Sequence, residues 1–167
     1  MTIITVRLFE YEKLKAGLNL GDNIAVFSCD NCARRCDGLG GQQGLDNLSG
    51  KLAADGFSVI CRRLFPALCS RRHLQAGLDE DGCRNLLPQV DVILPLSCRM
   101  GIDRVRELLP GFNVLTITKT LGKGKISPQT SPRLTRPFAD IDIAIDDPEG
   151  IPIREAARRL GLFVGSY

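Results

Sequence analysis

A chain of 167 residues with 44% hydrophobic and 25% charged side chains suits one compact domain that builds its own core without covalent staples. A net charge of +3, no tryptophan and two tyrosines supply neither the basic field nor the stacking surface of a nucleic-acid binder. No apolar run approaches the ~18 residues of a membrane span, and the opening MTIITVRLFEYEKLK lacks the plan of a signal peptide, so a soluble, cytoplasmic protein is expected.

An opening helix is expected around Phe9 to Leu18. Four short, β-branched runs then read as strands: Asn23 to Ser28, Phe57 to Cys61, Asp91 to Leu96 and Asn113 to Thr118. Their apolar character is continuous rather than alternating, as parallel strands covered on both faces require. Between the first two, Leu45, Leu48 and Leu52 share a helical face that Gly56 ends. Leu64 to Leu87 reads as two short helices broken near Gly77 to Gly82. Ile102, Val105 and Leu109 line a further helix, closed by Pro110-Gly111.

Strand, helix and strand repeated in this way give right-handed crossovers. Residues 1–125 therefore read as a cysteine-rich α/β domain, a small doubly wound parallel sheet of the Rossmann or flavodoxin-like kind with its core from Phe9 to Lys125. Residues 126–167 read as an extension. Ile126 to Pro137 holds three prolines, the composition of an extended linker. The following ADIDIAIDD alternates with period two, as a half-buried strand does. A helix from Pro152 puts Ile153, Ala156, Ala157 and Leu160 on one face and ends at Gly161. This tail either packs back on the main sheet or docks on another protein.

Seven cysteines stand out: Cys29, Cys32, Cys36, Cys61, Cys69, Cys83 and Cys98. An odd count without an export signal points to metal or redox chemistry rather than a disulfide framework. C-D-N-C-A-R-R-C, Cys29 to Cys36, begins at the carboxyl end of the first core strand, the edge where doubly wound sheets bind ligands. Cys98 ends the third core strand at that same edge. If the two strands are neighbours, four sulfurs from Cys29, Cys32, Cys36 and Cys98 converge, with Cys69 as the reserve ligand. Cys61 reads as a buried small hydrophobe, and Cys83 has no obvious partner.

Four thiolates hold either zinc or an iron–sulfur cluster. One tight triplet plus a remote cysteine favours a [4Fe-4S] cluster, with zinc as the second choice. Arg34 and Arg35 would offset the cluster's negative charge, and the backbone N–H groups of Gly40 and Gly41 could donate to its sulfur. G-L-G-G-Q-Q-G comes too far beyond the strand for a dinucleotide fingerprint.

The order C-x-x-C-x-x-x-C then G-G, a strand ending L-S-C-x-x-G, and a closing T-x-T-L-G resembles the small cysteine-rich partner subunit of methylenetetrahydrofolate reductase, also found as a C-terminal domain fused to some reductases. Here these are Cys29, Cys32, Cys36, Gly40-Gly41, Leu96-Ser97-Cys98 with Gly101, and Thr118 to Gly122. The resemblance covers about Phe9 to Lys125. It implies an iron–sulfur or zinc subunit that relays electrons to a flavoprotein reductase subunit, and it aligns Cys69 with a further cysteine of the family. Such subunits usually continue into a second cysteine-rich region, whereas this chain has no cysteine after Cys98.

The expectation is a non-catalytic accessory subunit of an oxidoreductase, with no nucleic-acid or membrane partner and with self-association left open. A zinc-stabilised interaction module is the alternative. A third reading is a thiol-active enzyme exchanging electrons through Cys29 and Cys32.

Overall fold

The continuous apolar runs fold as neighbouring parallel strands, and a second, antiparallel sheet forms beside them. The computed structural model describes the backbone of residues 1–167 and every side chain but that of Asp81. The chain begins with β1 (Thr2–Arg7), α1 (Tyr11–Ala16), β2 (Asn23–Cys29), α2 (Cys32–Arg35), α3 (Gly41–Ala54) and β3 (Ser58–Phe65). Next come α4 (Arg71–Asp79), α5 (Asp81–Arg84), β4 (Val92–Leu96), α6 (Arg99–Leu108) and β5 (Asn113–Val114). It closes with β6 (Thr118–Ser127), β7 (Thr130–Pro137), β8 (Ile151–Pro152) and α7 (Ile153–Leu160). The architecture is mixed α/β, with a parallel sheet in the order β3-β2-β4-β5 and an antiparallel sheet in the order β1-β6-β7-β8.

The parallel sheet is built on β2, whose Ile24, Ala25, Val26 and Phe27 are wholly buried. Phe27 meets Phe65 of β3 edge-on, with ring centroids 5.1 Å apart. Leu45, Leu48 and Leu52 of α3 bury the stripe expected of them, each contributing about 1.5–3 kcal/mol of hydrophobic stabilisation. Gly56, at φ +87°, adopts the left-handed conformation that turns the chain from α3 into β3. The segment from Leu64 to Leu87 holds α4 and α5, as its pattern requires. Among the described residues no helix is long and apolar enough to cross a membrane.

The structure departs from the expected elements at several places. The opening Thr2–Arg7 is a strand that its sequence did not announce. Of Asn113 to Thr118, only Asn113 and Val114 pair with β4, and Leu115 N–H still reaches Ile93 O at 3.0 Å. From Thr118 the chain crosses into the antiparallel sheet as β6, which runs through the expected boundary at 125/126. Ile126 to Pro137 is not a linker: it completes β6, turns, and returns as β7, with Leu134 fully buried. The two-residue β8 pairs only with Arg133 and Leu134, so Pro132 and Pro137 lie where that edge needs no N–H donor.

ADIDIAIDD forms no strand. Ile141, Ile143 and Ile145 do turn toward the core while Asp142, Ala144 and Asp146 turn away, so its two-residue alternation reports an extended chain lying on apolar surface without a ladder. The helix after Pro152 is present as α7, with Ile153, Ala156 and Ala157 buried and a left-handed Gly161 at its end. Tail residues pack on the antiparallel sheet: Phe163 bridges Arg7 of β1, and Tyr167 Oη donates to Ile117 O at 2.7 Å.

Candidate metal centre

β2 and β4 are parallel neighbours, with Ser28 opposite Leu96. The chain runs outward from β2 to β3 and then returns across β2 to β4. That reversal opens a crevice at the carboxyl ends of the strands. Cys29 is the last residue of β2, Cys32 opens α2, Cys69 precedes the α4 cap Ser70, and Cys98 caps α6. Three successive strand-to-helix connections thus bring four cysteines to one rim.

These thiols feel one another. Burial pushes Cys98 up to about 11; the Gly101 N–H opposes this, and negative charge on Cys29, Cys32 and Cys69 adds to it. Cys69 is also raised, by burial first and then by Cys29 and Cys32, with Arg104 opposing. Cys29 and Cys98 are buried while Cys32 and Cys69 are half-exposed. Among the described residues no three His, Cys, Asp or Glu side chains converge closely enough to hold a metal ion as they are placed.

Cys36 serves differently. Its Sγ accepts the Thr5 N–H and its thiol donates to Ile3 O, both at 3.4 Å. Ile3 O and Thr5 N lie on the outer edge of β1, which has β6 on its other side. The thiol stands in for a missing neighbouring strand and covers an edge that would otherwise be unpaired. Fully buried, it is pushed up to about 12, chiefly by burial, with the Thr5 N–H opposing and negative charge on Cys32, Asp37 and Cys98 adding to the rise.

The strand after β5 fixes Cys98. Thr118 Oγ1 donates to Ser97 O at 2.6 Å. Arg99 N–H, the first donor of α6, reaches Thr120 Oγ1 at 2.7 Å. Two threonines on one face of β6 therefore clamp the backbone on both sides of Cys98, and Thr120 replaces the side-chain cap that Cys98 does not supply. A Cβ on Gly101 would come within 2.0 Å of Ser97 Oγ, so only glycine lets the first turn of α6 sit this low. Ser97 Oγ is itself buried without a partner, an unused polar atom next to Cys98.

The other expected site residues divide. Arg34 is ion-paired with Asp30 at 3.4 Å, which takes up part of the charge expected to face the rim; Arg35 is exposed. Gly40 N–H is bonded to Ala33 O at 3.1 Å, so it is not free to donate to sulfur. Its role is steric, since a Cβ there would meet Ala33 Cβ and Cys29 O at 2.7 Å. Gly41 opens α3, and its carbonyl accepts Ser28 Oγ at 2.9 Å. The amino ends of α3, α4 and α6 all follow connections at this rim, and their dipoles favour an anionic group there.

Sequence reasoning gave Thr118 and Thr120 no task; the signal was two threonines one residue apart in a strand leaving the cysteine-bearing edge. It also left Cys83 unpaired. That thiol is buried beside Cys61, and the apolar Leu86 and Leu87 that follow it were the available hint. Compared with protein families, curated proteins and solved structures, the chain matches none.

Proposed function

We propose that this chain is a non-catalytic metallosubunit in which Cys29, Cys32, Cys69 and Cys98 hold a [4Fe-4S] cluster at the rim of the parallel sheet. The parallel half is read as a Rossmann-like, doubly wound core. The subunit relays electrons in the cytoplasm to a flavin-dependent reductase of the methylenetetrahydrofolate reductase kind or to a related C1 complex. The observation that carries this reading is the topology that sets Cys29, Cys32, Cys69 and Cys98 on the connections leaving the carboxyl ends of three adjacent parallel strands. Cys36 leaves the ligand set because both its donor and its acceptor capacity are engaged by β1.

The donor set is entirely sulfur, which suits iron–sulfur centres and zinc and excludes hard cations. A polynuclear centre spreads its ligands over several irons, so its thiolates stand farther apart than those around one ion. Binding requires each thiol to lose its proton. Crowding and burial oppose this at Cys98 and Cys69, and a cationic centre reverses that opposition. When bound, such a cluster supplies reversible one-electron transfer. Thr118 and Thr120 hold Cys98 at a fixed height, Gly101 lets α6 approach, and the helix dipoles favour the anionic assembly.

Anaerobic reconstitution with iron and sulfide tests the reading. The expected product is brown, absorbs near ~400 nm and carries about four irons per chain. Cys98→Ser and Cys69→Ser lose that iron and Cys36→Ser keeps it. Colourless protein with stoichiometric zinc would instead make the chain a zinc-stabilised interaction module.

A further inference from the structure

Cys61 and Cys83 belong neither to the rim nor to its threonine clamp. Cys61 lies in β3 four residues before Phe65, which ends the strand, and is therefore about 13 Å from the rim along the chain direction. Cys83 is carried by α5. The two sulfurs are 3.1 Å apart, and the residues are 3% and 2% exposed. They share a cavity of about 310 Å³ with Val59, Ile60, Arg62, Arg63, Gly82 and Leu86. Arg63 is held in place by an ion pair with Glu80.

The pair is chemically unequal. The two thiols share one hydrogen, which either sulfur can donate, and the contact lowers Cys83 and raises Cys61. The Arg63 guanidinium favours the thiolate of both. Two sulfurs in contact beside the Arg63 guanidinium let one thiolate attack and the other resolve, and Cys83, the lowered of the two, takes the attacking role. Core packing alone asks for neither a second sulfur at this distance nor a cation beside it.

We infer that Cys61 and Cys83 form a second redox site, a buried dithiol that a small peroxide entering this cavity converts to a disulfide. The Cys83 thiolate attacks one oxygen of hydrogen peroxide, the O–O bond breaks, and the departing hydroxide takes a proton to become water. Cys83 is then a sulfenic acid. Cys61 attacks that sulfur, the S–O bond breaks, and the second hydroxide leaves as water with the proton of Cys61. Two thiols have lost two electrons and two protons, and one peroxide has become two waters. The new bond ties α5 to β3, and an external dithiol reverses it. The cavity and the depth of both sulfurs favour a peroxide over a bulky peptide disulfide.

The test uses the full chain, reduced and then exposed to hydrogen peroxide, with free thiols alkylated before peptide mass spectrometry. The expected result is a Cys61–Cys83 cross-linked peptide two hydrogens lighter than its components, lost on treatment with dithiothreitol and absent from Cys83→Ser. In Cys61→Ser, which leaves the attacking sulfur in place, Cys83 accumulates as a sulfenic acid that dimedone labels. Full alkylation of both cysteines after peroxide treatment would overturn the inference, as would a cross-link joining either one to a rim cysteine. Because the readout is specific to these two peptides, its outcome is independent of whether the rim holds iron.

Discussion

Replacing Cys36 by alanine separates a thiol that completes a sheet edge from one that binds metal. The substitution leaves Thr5 N–H and Ile3 C=O facing a wholly buried position with no partner. A buried donor left unpaired costs about 1–3 kcal/mol, and loss of the buried sulfur adds about 1 kcal/mol of transfer free energy. The sum is about 2–4 kcal/mol. For a chain of this length that lowers Tm by about 10 °C, or the urea midpoint by about 1–2 M. Serine at the same place keeps a donor and an acceptor on a shorter reach and recovers part of the loss. The assay is urea denaturation of the metal-free protein, followed by far-ultraviolet circular dichroism, beside iron content after reconstitution. Cys36→Ala is expected to be clearly destabilised yet as rich in iron as the parent. If instead its urea midpoint were unchanged and its iron gone, Cys36 would be a ligand and the assignment of Cys69 would fail.

Two further outcomes follow from the same geometry. Cys36 is held protonated, its pKa raised from 9.0 to about 12, so the stability it contributes is complete below pH 9 and is lost as pH climbs toward 12, because the unfolded chain releases its proton first. Between pH 8.5 and 10.5 the metal-free parent should lose about 2 kcal/mol more than Cys36→Ser, measured by urea denaturation at each pH; parallel pH profiles would remove the buried thiol from the explanation. Thr120→Val strips the cap from Arg99 N–H, costs about 1–2 kcal/mol and lets Cys98 move, so reconstituted protein should surrender iron to a chelator faster than the parent. An unaltered release rate would mean that the threonines do not position Cys98.

The parallel sheet was legible because its strands are short, continuous apolar runs bounded by turn residues, and the same reading put Cys29 and Cys98 on the edge where they lie. Their adjacency depended on strand order, which local pattern does not encode. The tail was misread for a related reason. Proline content suggested a linker, yet β7 tolerates Pro132 and Pro137 because its neighbour β8 covers only two residues. In ADIDIAIDD the alternation correctly marked which side chains turn inward, while the hydrogen-bond partner that would make a strand is a tertiary fact. Cys36 sits in a ligand-like spacing, and only the arrival of β1, an edge strand of the other sheet, gives its sulfur other partners. Cys83 was obscured by polar neighbours in a four-residue helix too short to show a periodic face.

The passage of one stretch of backbone from the parallel sheet at Val114 to the antiparallel sheet at Thr118 makes the cysteine-bearing half inseparable from the tail. Ending the chain at Lys125 would remove β7, the strand on β6's other side, and would slacken the grip on Cys98. A fusion or graft that aims to transplant this centre must therefore carry the hairpin and its closing helix as well, because the scaffold for the last sulfur is woven from both halves.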